Sequence, residues 1–469
     1  MPHKFKQIIA NFSYVIGSNL LTVLVSSIIV LVLPKIMGVE EYGYWQLYIF
    51  YLSYAGFVHL GWIDGIYLRY GGLDYGQLDR QKFFVQFLQL LVYLSVISLA
   101  ALTLIPVLAG DGDSRFVYTL LVLTMLVTNV RFLFIYILQM TNRLKESSYV
   151  VSGDRLLYLI LLLVFIGLGF RNFRIMVYAD LIGRLLSLLY AIYLCRDLVL
   201  LPVSCFKPDI RETLVNIGVG INLMLSNIAS MLIIGTVRMG IQRIWDIAIF
   251  GKVSLTLSIS NLLMTFINAV GLVVFPILKR TDEEHLPRIY DTLRSFLMVV
   301  MFGILLCYYP LRLVLDAWLP VYRDSLVFMA LIFPMAVYEG KMALLINTYL
   351  KALRMERQIF KINVFVMVCS FLTTLVCAIW MKNLNLTVLS IVFLLGLRSL
   401  IAERVLARKL KIEVEADIRI EFLMTLVFIV SGWFLPIYLG GSLYLVVYLV
   451  YVAFKYRTIK GLFGKLKKG

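Results

Sequence analysis

The chain has 469 residues, of which 61% are hydrophobic and only 15% charged, and it carries a formal net charge of +17. Apolar runs of roughly 20 residues recur from end to end, and no connection between them approaches the roughly 50 residues that a soluble domain needs. Together these features exclude a soluble enzyme and a built-in soluble ATPase domain, and they place the chemistry of the chain inside a lipid bilayer.

Fourteen spans are predicted, at 11–33, 42–63, 83–106, 116–140, 155–170, 175–195, 214–236, 247–275, 295–315, 325–350, 359–381, 384–401, 420–439 and 441–454. Lipid leaves every backbone polar group to be satisfied within its own segment, so helices or a closed barrel are the only options. Barrel strands alternate and cross in roughly 10 residues, which these runs do not do. The expected fold is therefore all-α, a polytopic helical bundle.

The first span follows Lys4 and Lys6 in the manner of a signal sequence. It is too long for a cleaved core and ends at Leu33-Pro34-Lys35 without a small-residue cleavage site, so it reads as an uncleaved span. It contains Asn19 and no acidic residue. At the inner mouth of the second span lie Asp64 and Arg69, read either as substrate contacts or as caps of the helix and loop. The connection after the third span carries Asp111-Gly112-Asp113, a DxD that reads as turn chemistry.

Ionisable groups within spans are costly and default to functional candidates. Arg131, in the fourth span, lines a cavity or snorkels to the interface. Arg184, in the sixth, lies ten residues beyond Arg174, about 15 Å into its helix. Asp180 precedes it by four residues on the same face, so the two form either a structural ion pair or an anion-binding Arg held by a proton-accepting acid. The seventh span holds Asn222, and Lys252 lies near the outer end of the eighth, within snorkelling reach. In the tenth, Pro334 predicts a kink, and Glu339 and Lys341 are two residues apart, so each needs its own partner. The five cysteines show neither CxxC nor metal-ligand spacing, and no metal site is predicted.

With the amino terminus taken as cytoplasmic, 31 Lys and Arg fall on the cytoplasmic side and nine opposite. This asymmetry puts both termini in the cytoplasm and explains the net charge as a topology signal, with no nucleic acid as partner. The tail from Lys460 to Lys468 is a solvated segment or an attractor of anionic lipid headgroups.

The chain also shows an internal repeat. Asn19 lies 16 residues before Lys35, and Asn222 lies 16 before Arg238. Tyr42-Gly43 with Leu47 then corresponds to Phe250-Gly251 with Leu255, the second copy having five extra residues placed in the connection. The copies begin six spans apart, an even number that makes them parallel, the arrangement of two bundles around a central cavity. The expected organisation is an amino-terminal bundle at 1–200, a second at 201–411, and two further helices with a basic tail at 412–469.

Two segments carry a family resemblance. Pro34-Lys35-Ile36-Met37-Gly38-Val39-Glu40-Glu41-Tyr42-Gly43 and Gly61-Trp62-Ile63-Asp64-Gly65-Ile66-Tyr67-Leu68-Arg69-Tyr70-Gly71 resemble the corresponding segments of oligosaccharide flippases of the polysaccharide-export type. These belong to the superfamily that includes multidrug and toxin extrusion transporters and the bacterial lipid II flippase. The resemblance implies translocation of a polyprenyl-diphosphate-linked oligosaccharide across the bacterial cytoplasmic membrane for O-antigen or capsule synthesis, in contact with membrane lipids and other polysaccharide-assembly proteins.

The implied transporter works by alternating access around a cationic cavity and is not an enzyme. It has no cofactor, and coupling to a proton or sodium gradient is open. A diphosphate crossing about 30 Å of hydrocarbon needs cationic partners, and sugars need amide, hydroxyl and aromatic contacts. Arg184, Arg131, Lys341, Arg69, Lys252, Asn19 and Asn222 are the candidate substrate contacts, and Asp180, Asp64 and Glu339 the candidate ion-coupling groups. The competing readings are an ion-coupled multidrug exporter of the same superfamily and a membrane-embedded glycosyltransferase or polymerase. The acid-free first span argues against the former, and the short DxD loop against the latter.

Overall fold

A computed structural model gives the backbone of residues 2–466 apart from 203, 205 and 280–285, and side chains except at 2–13, 15–16, 263, 265–279 and 457–466. Lys4, Lys6, Cys205, Asn268 and the tail from Lys460 lie outside the described side chains. Among the described residues every element is helical.

The long first helix, α1 (Pro2–Ile36), leads through a two-residue turn into α2 (Val39–Leu52). The second predicted span is then broken rather than continuous. A short 3-10 turn at Ala55–His59 and left-handed Leu60 (φ 55°) and Gly61 (φ 79°) separate α2 from α3 (Trp62–Tyr70). The Ser53 hydroxyl caps back onto the Phe50 carbonyl (2.6 Å), satisfying an acceptor that the break leaves open. Asp64 falls in the first turn of α3 and Arg69 in its last, each the sign favoured by the helix dipole.

The first unit continues with α4 (Arg80–Leu108), α5 (Gly112–Met140), α6 (Leu144–Gly167), α7 (Phe173–Leu194) and the short α8 (Arg196–Val199). Asp111 caps α5 by accepting from the Ser114 amide, and Asp113 receives the Arg174 guanidinium at 2.7 Å. One carboxylate of the DxD is thus spent on the start of α5 and the other on an ion pair with α7. Val96, Leu99 and Leu104 of α4 are more than half exposed, which suits a face turned to lipid.

The second unit is built from α9 (Ile210–Ile244), α10 (Ile247–Lys279), α11 (Leu286–Leu306) and α12 (Tyr308–Trp318). Four short pieces make the tenth span: α13 (Arg323–Leu326), α14 (Phe328–Ile332), α15 (Met335–Lys341) and α16 (Asn347–Ala352). Pro334 sits at the break between α14 and α15, and a π-helical turn joins α15 to α16 at Met342–Ile346. The chain ends with α17 (Glu356–Thr374), α18 (Leu384–Leu410), α19 (Glu415–Phe434) and α20 (Ile437–Leu466). Contacts divide it into two compact units, Met1–Ile228 and Ala229–Gly469, so α9 is shared and α19 and α20 group with the second unit.

Eleven helices among the described residues are long and apolar enough to cross a membrane. The broken α2–α3 segment, α10 and the charged-footed α19 account for the other predicted spans.

The repeat survives with a corrected register. The five extra residues disappear: α1 and α9 are each 35 residues long, and each is joined by a two-residue link to the helix that follows, α2 or α10. Aligned on helix ends, Lys35 matches Arg243, and Ser18-Asn19 matches Ser226-Asn227 instead of Asn222. Buried Val25, Ile29 and Leu33 then coincide with buried Ile233, Val237 and Ile241. Beyond the turn, buried Tyr42, Trp45, Gln46, Leu47 and Tyr48 coincide with buried Phe250, Val253, Ser254, Leu255 and Thr256. A shared core-facing stripe over both helices is hard to obtain by chance, because each buried position is selected for packing.

Within the first unit, α3 and the start of α9 meet backbone to backbone. A Cβ at Gly65 would lie 1.8 Å from the Asn216 carbonyl oxygen, and one at Gly220 would lie 2.0 Å from the Gly61 oxygen. Gly61 and Gly65 form a small-xxx-small pair of the kind that allows close helix approach in lipid. Gly220→Ala is expected to lower the melting temperature, with an overpacking cost of about 1–3 kcal/mol or more. Gly218→Ala on the same helix meets nothing within 4 Å and should gain up to about 1 kcal/mol from helix propensity. Thermal unfolding in detergent reads both, and shifts of the same sign would contradict the close approach.

Candidate functional site

The first unit holds a polar stripe between α5 and α7. Thr124, Thr128 and Arg131 lie on one face of α5 at i, i+4 and i+7, and Asp180, Arg184 and Ser187 repeat that spacing on α7. The two rows meet in register. Tyr48 of α2 donates to Asp180 Oδ2 (2.8 Å) and lies 3.0 Å from Thr124 Oγ1. Arg184 grips Asp180 with Nε at 2.7 Å and Nη2 at 3.3 Å, and reaches Thr128 Oγ1 at 3.4 Å. Arg131 Nη1 lies 3.3 Å from Ser187 Oγ and 2.8 Å from Asp154 Oδ2 of α6.

All four charged groups are buried, Asp180 completely. The acid-first order expected for Asp180 and Arg184 thus forms a two-pronged ion pair. Arg131 does not snorkel to the interface: it turns inward to Asp154. Among the described residues, Arg131 Nε and Asp154 Oδ1 have no protein partner, so this second pair is less fully satisfied than the first.

A larger network lies in the second unit. Glu403 of α18 accepts from Arg294 of α11 (2.7 Å), Tyr290 (2.8 Å) and Lys341 of α15 (2.8 Å). Glu421 of α19 bridges the same two cations, one through each oxygen. Arg294 also pairs with Asp417 (3.1 Å), which in turn binds Lys455 of α20 (2.6 Å). Three cations thus meet three carboxylates, and all four oxygens of Glu403 and Glu421 are used. Glu339 and Lys341 do have separate partners: Glu339 binds Arg398 (3.0 Å), itself held by Asn363 (2.9 Å).

The charge assignment from sequence requires correction here. Arg294 and Arg398 are among the 31 cations that the sequence assigns to the cytoplasmic side, but they are 1% and 4% exposed within the bundle. Helix α11 extends beyond the apolar run that marks it and carries Arg294 into the bundle, while Arg398 lies within the twelfth predicted span, on α18.

At the other end of the broken second span, Asp64 lies 3.8 Å from His59 Nε2. His59 Nδ1 accepts the Gly61 amide (3.1 Å), so the ring proton sits on Nε2, facing the carboxylate. Arg69 pairs with Glu212 of α9 at 2.6 Å. Nearby, outside the spans, Tyr75 donates to Asp197 (2.7 Å), and burial, Cys195 and that carboxylate push its phenol well above the ordinary value. Asn19 and Asn222 are exposed on α1 and α9, and Lys252 is half-buried in the second turn of α10.

The candidate residues therefore do not gather in one place. Asp180, Arg184 and Arg131 share the α5–α7 stripe, Lys341 belongs to the second network, and Asp64 and Arg69 lie at opposite ends of α3. Asp154, Glu403 and Glu421 were not singled out from sequence. Each sits just outside a predicted span or in its first residues, where local charge reads as a connection.

Comparison with known proteins gives the fold. No protein-family model and no curated protein sequence matches the chain. A multidrug-resistance MATE family transporter of the MOP superfamily, in an inward-facing conformation, is similar at a TM-score of 0.67 and 12% identity, covering 84% of this chain and 98% of that one. The lipid II flippase MurJ, in an inward closed conformation, is similar at 0.64 and 13%, covering 96% of this chain and 99% of that one. A MATE structure in a bent conformation gives 0.56 and 12%, over 86% of this chain and 96% of that one. The chain is a multi-pass, all-helical membrane protein with the fold shared by MATE transporters and the MurJ flippase.

Proposed function

We propose that the chain is a flippase that moves a polyprenyl-diphosphate-linked oligosaccharide from the inner to the outer leaflet of a bacterial cytoplasmic membrane, by alternating access, for surface polysaccharide synthesis. The observation that carries this reading is the similarity to a lipid II flippase over 96% of this chain and 99% of that one. The MATE structures cover 84% and 86% of this chain, a shortfall against MurJ of about the size of α19 and α20. Of these three structures, the flippase accounts for nearly the whole length of the chain.

The charge pattern assigns parts in this reading. Arg184, Arg131 and Lys341 each face a carboxylate, so none offers a free positive charge. A proton taken up by Asp180 would release the Arg184 guanidinium toward a phosphate, linking transport to a proton gradient. Sodium at Asp64 or Glu339 is the other route. Arg69 and Lys82 instead converge on the single carboxylate of Glu212, and Arg69 is the first contact for a diphosphate. Lys252, Asn19 and Asn222 are left as contacts for the sugar or headgroup.

Native mass spectrometry of the protein extracted in mild detergent tests the substrate class. A bound adduct with the mass of a polyprenyl-diphosphate oligosaccharide supports the flippase; adducts limited to bulk phospholipid, with binding of cationic dyes, support an exporter like the MATE neighbours. Orientation is tested by carboxy-terminal fusions. Both termini are expected in the cytoplasm, so a fluorescent-protein fusion should fluoresce and an alkaline-phosphatase fusion should stay inactive. The opposite result would invert the topology.

A further inference from the structure

One carboxylate, Glu212 in the first turn of α9, collects an unusual number of donors within the first unit. Arg69 Nη1 lies 2.6 Å from its Oε1 and Nη2 3.4 Å from its Oε2. The Tyr70 hydroxyl donates to Oε1 at 2.6 Å, and Lys82 Nζ stands 3.2 Å from the same oxygen. Two cations face one anion, which leaves a unit of positive charge over. All three ionic groups retain access to solvent, with side chains 27% (Arg69), 33% (Lys82) and 12% (Glu212) exposed.

The surroundings add one cation and two carboxylates, and neither carboxylate is in ion-pair contact with Arg69 or Lys82. Lys82 borders a cavity of about 310 Å³ that is also lined by Gln86, Lys207, Asp79 and Asp209. Both aspartates are occupied as helix caps, Asp79 on the Lys82 amide (3.1 Å) and Asp209 on the Glu212 amide (2.9 Å). A two-pronged guanidinium, an ammonium and a phenol on one oxyanion form a donor set suited to a phosphate group. The same contacts hold the first turns of α9 down. Asn216, one turn beyond Glu212, bonds Arg69 and Gln86, and the glycine contacts of α3 and α9 lie just above.

We propose that Arg69, Lys82 and Tyr70 form a binding site for a phosphate- or diphosphate-type anion, that Glu212 occupies it as an internal stand-in, and that an arriving anion expels Glu212 and frees the start of α9 from α3. The identification of that anion with the headgroup of a lipid-linked sugar rests on the function proposed above; the site itself does not.

The test is calorimetric titration of the full-length protein in detergent with inorganic pyrophosphate, and separately with farnesyl diphosphate. Glu212→Gln keeps the shape but removes the competing charge, and should bind pyrophosphate about tenfold more tightly than wild type. Arg69→Gln with Lys82→Gln should bind neither ligand. Unchanged or weaker binding by Glu212→Gln, or undiminished binding by the double variant, would overturn the site.

Hydrogen exchange on the unmodified protein tests the release without any variant. Amides at 210–216 should exchange faster with saturating pyrophosphate, and an unchanged rate would overturn the latch. A gain in Glu212→Gln for both ligands ties the site to a lipid-borne headgroup. A gain for pyrophosphate alone supports the anion site while removing its connection to a lipid substrate.

Discussion

Replacing Arg294 by alanine is expected to leave little folded protein. Its guanidinium contacts Glu403, Glu421 and Asp417, and its removal leaves two buried carboxylates with Lys341 as their one shared cation. Breaking one buried pair typically costs about 3–5 kcal/mol, a large part of the roughly 5–15 kcal/mol that holds a protein folded. The cost falls on several helices at once, because the network ties α11, α15 and α18 to α19 and α20. Lys341→Met combined with Glu421→Leu removes one charge of each sign and should be much milder, since a balanced apolar replacement avoids an orphaned ion. Thermal unfolding followed by size-exclusion chromatography measures both. An Arg294→Ala protein melting within about 2 °C of wild type would mean that the network contributes little.

The second large effect is expected at Asp180 and Arg184. Arg184→Ala strands a completely buried carboxylate and should destabilise by about 3–5 kcal/mol, so loss of transport in that variant alone would say nothing about mechanism. Asp180→Asn with Arg184→Gln keeps hydrogen-bonding groups facing Tyr48 and Thr128 while removing both charges. This double variant should recover most of the stability. In the proposed function it should remain inactive, because neither a proton acceptor nor a phosphate-binding cation is left. Wild-type transport by a well-folded double variant would reduce the pair to a structural role.

Much of this was legible in the sequence. The apolar runs marked the spans because lipid tolerates little else, and the spacing of Asp180 and Arg184 foretold their ion pair. The separation of Glu339 from Lys341 likewise foretold separate partners. What escaped was charge at the edges of spans. Arg294, Glu403 and Glu421 lie at the edges of the predicted spans, where a hydropathy reading stops at the first cluster of charged residues. The helix continues through that cluster, and partners on other helices neutralise the charge.

The repeat register failed for a related reason. A cation near a helix end can be matched at several positions, whereas the buried stripe of Val25, Ile29 and Leu33 fits only one. The break between α2 and α3 had no proline to announce it; left-handed Leu60 and Gly61 make it. Donor convergence on Glu212 was invisible from local sequence because its partners lie more than 100 residues away.

The central claim concerns the substrate, and lipid extracts from cells lacking this protein address it most directly. The account predicts accumulation of a polyprenyl-diphosphate oligosaccharide together with loss of a surface glycan, and the mass of the intermediate would identify the sugar. An unchanged pool of lipid-linked sugars, with altered sensitivity to cationic drugs, would contradict it and assign the fold to the export of soluble compounds.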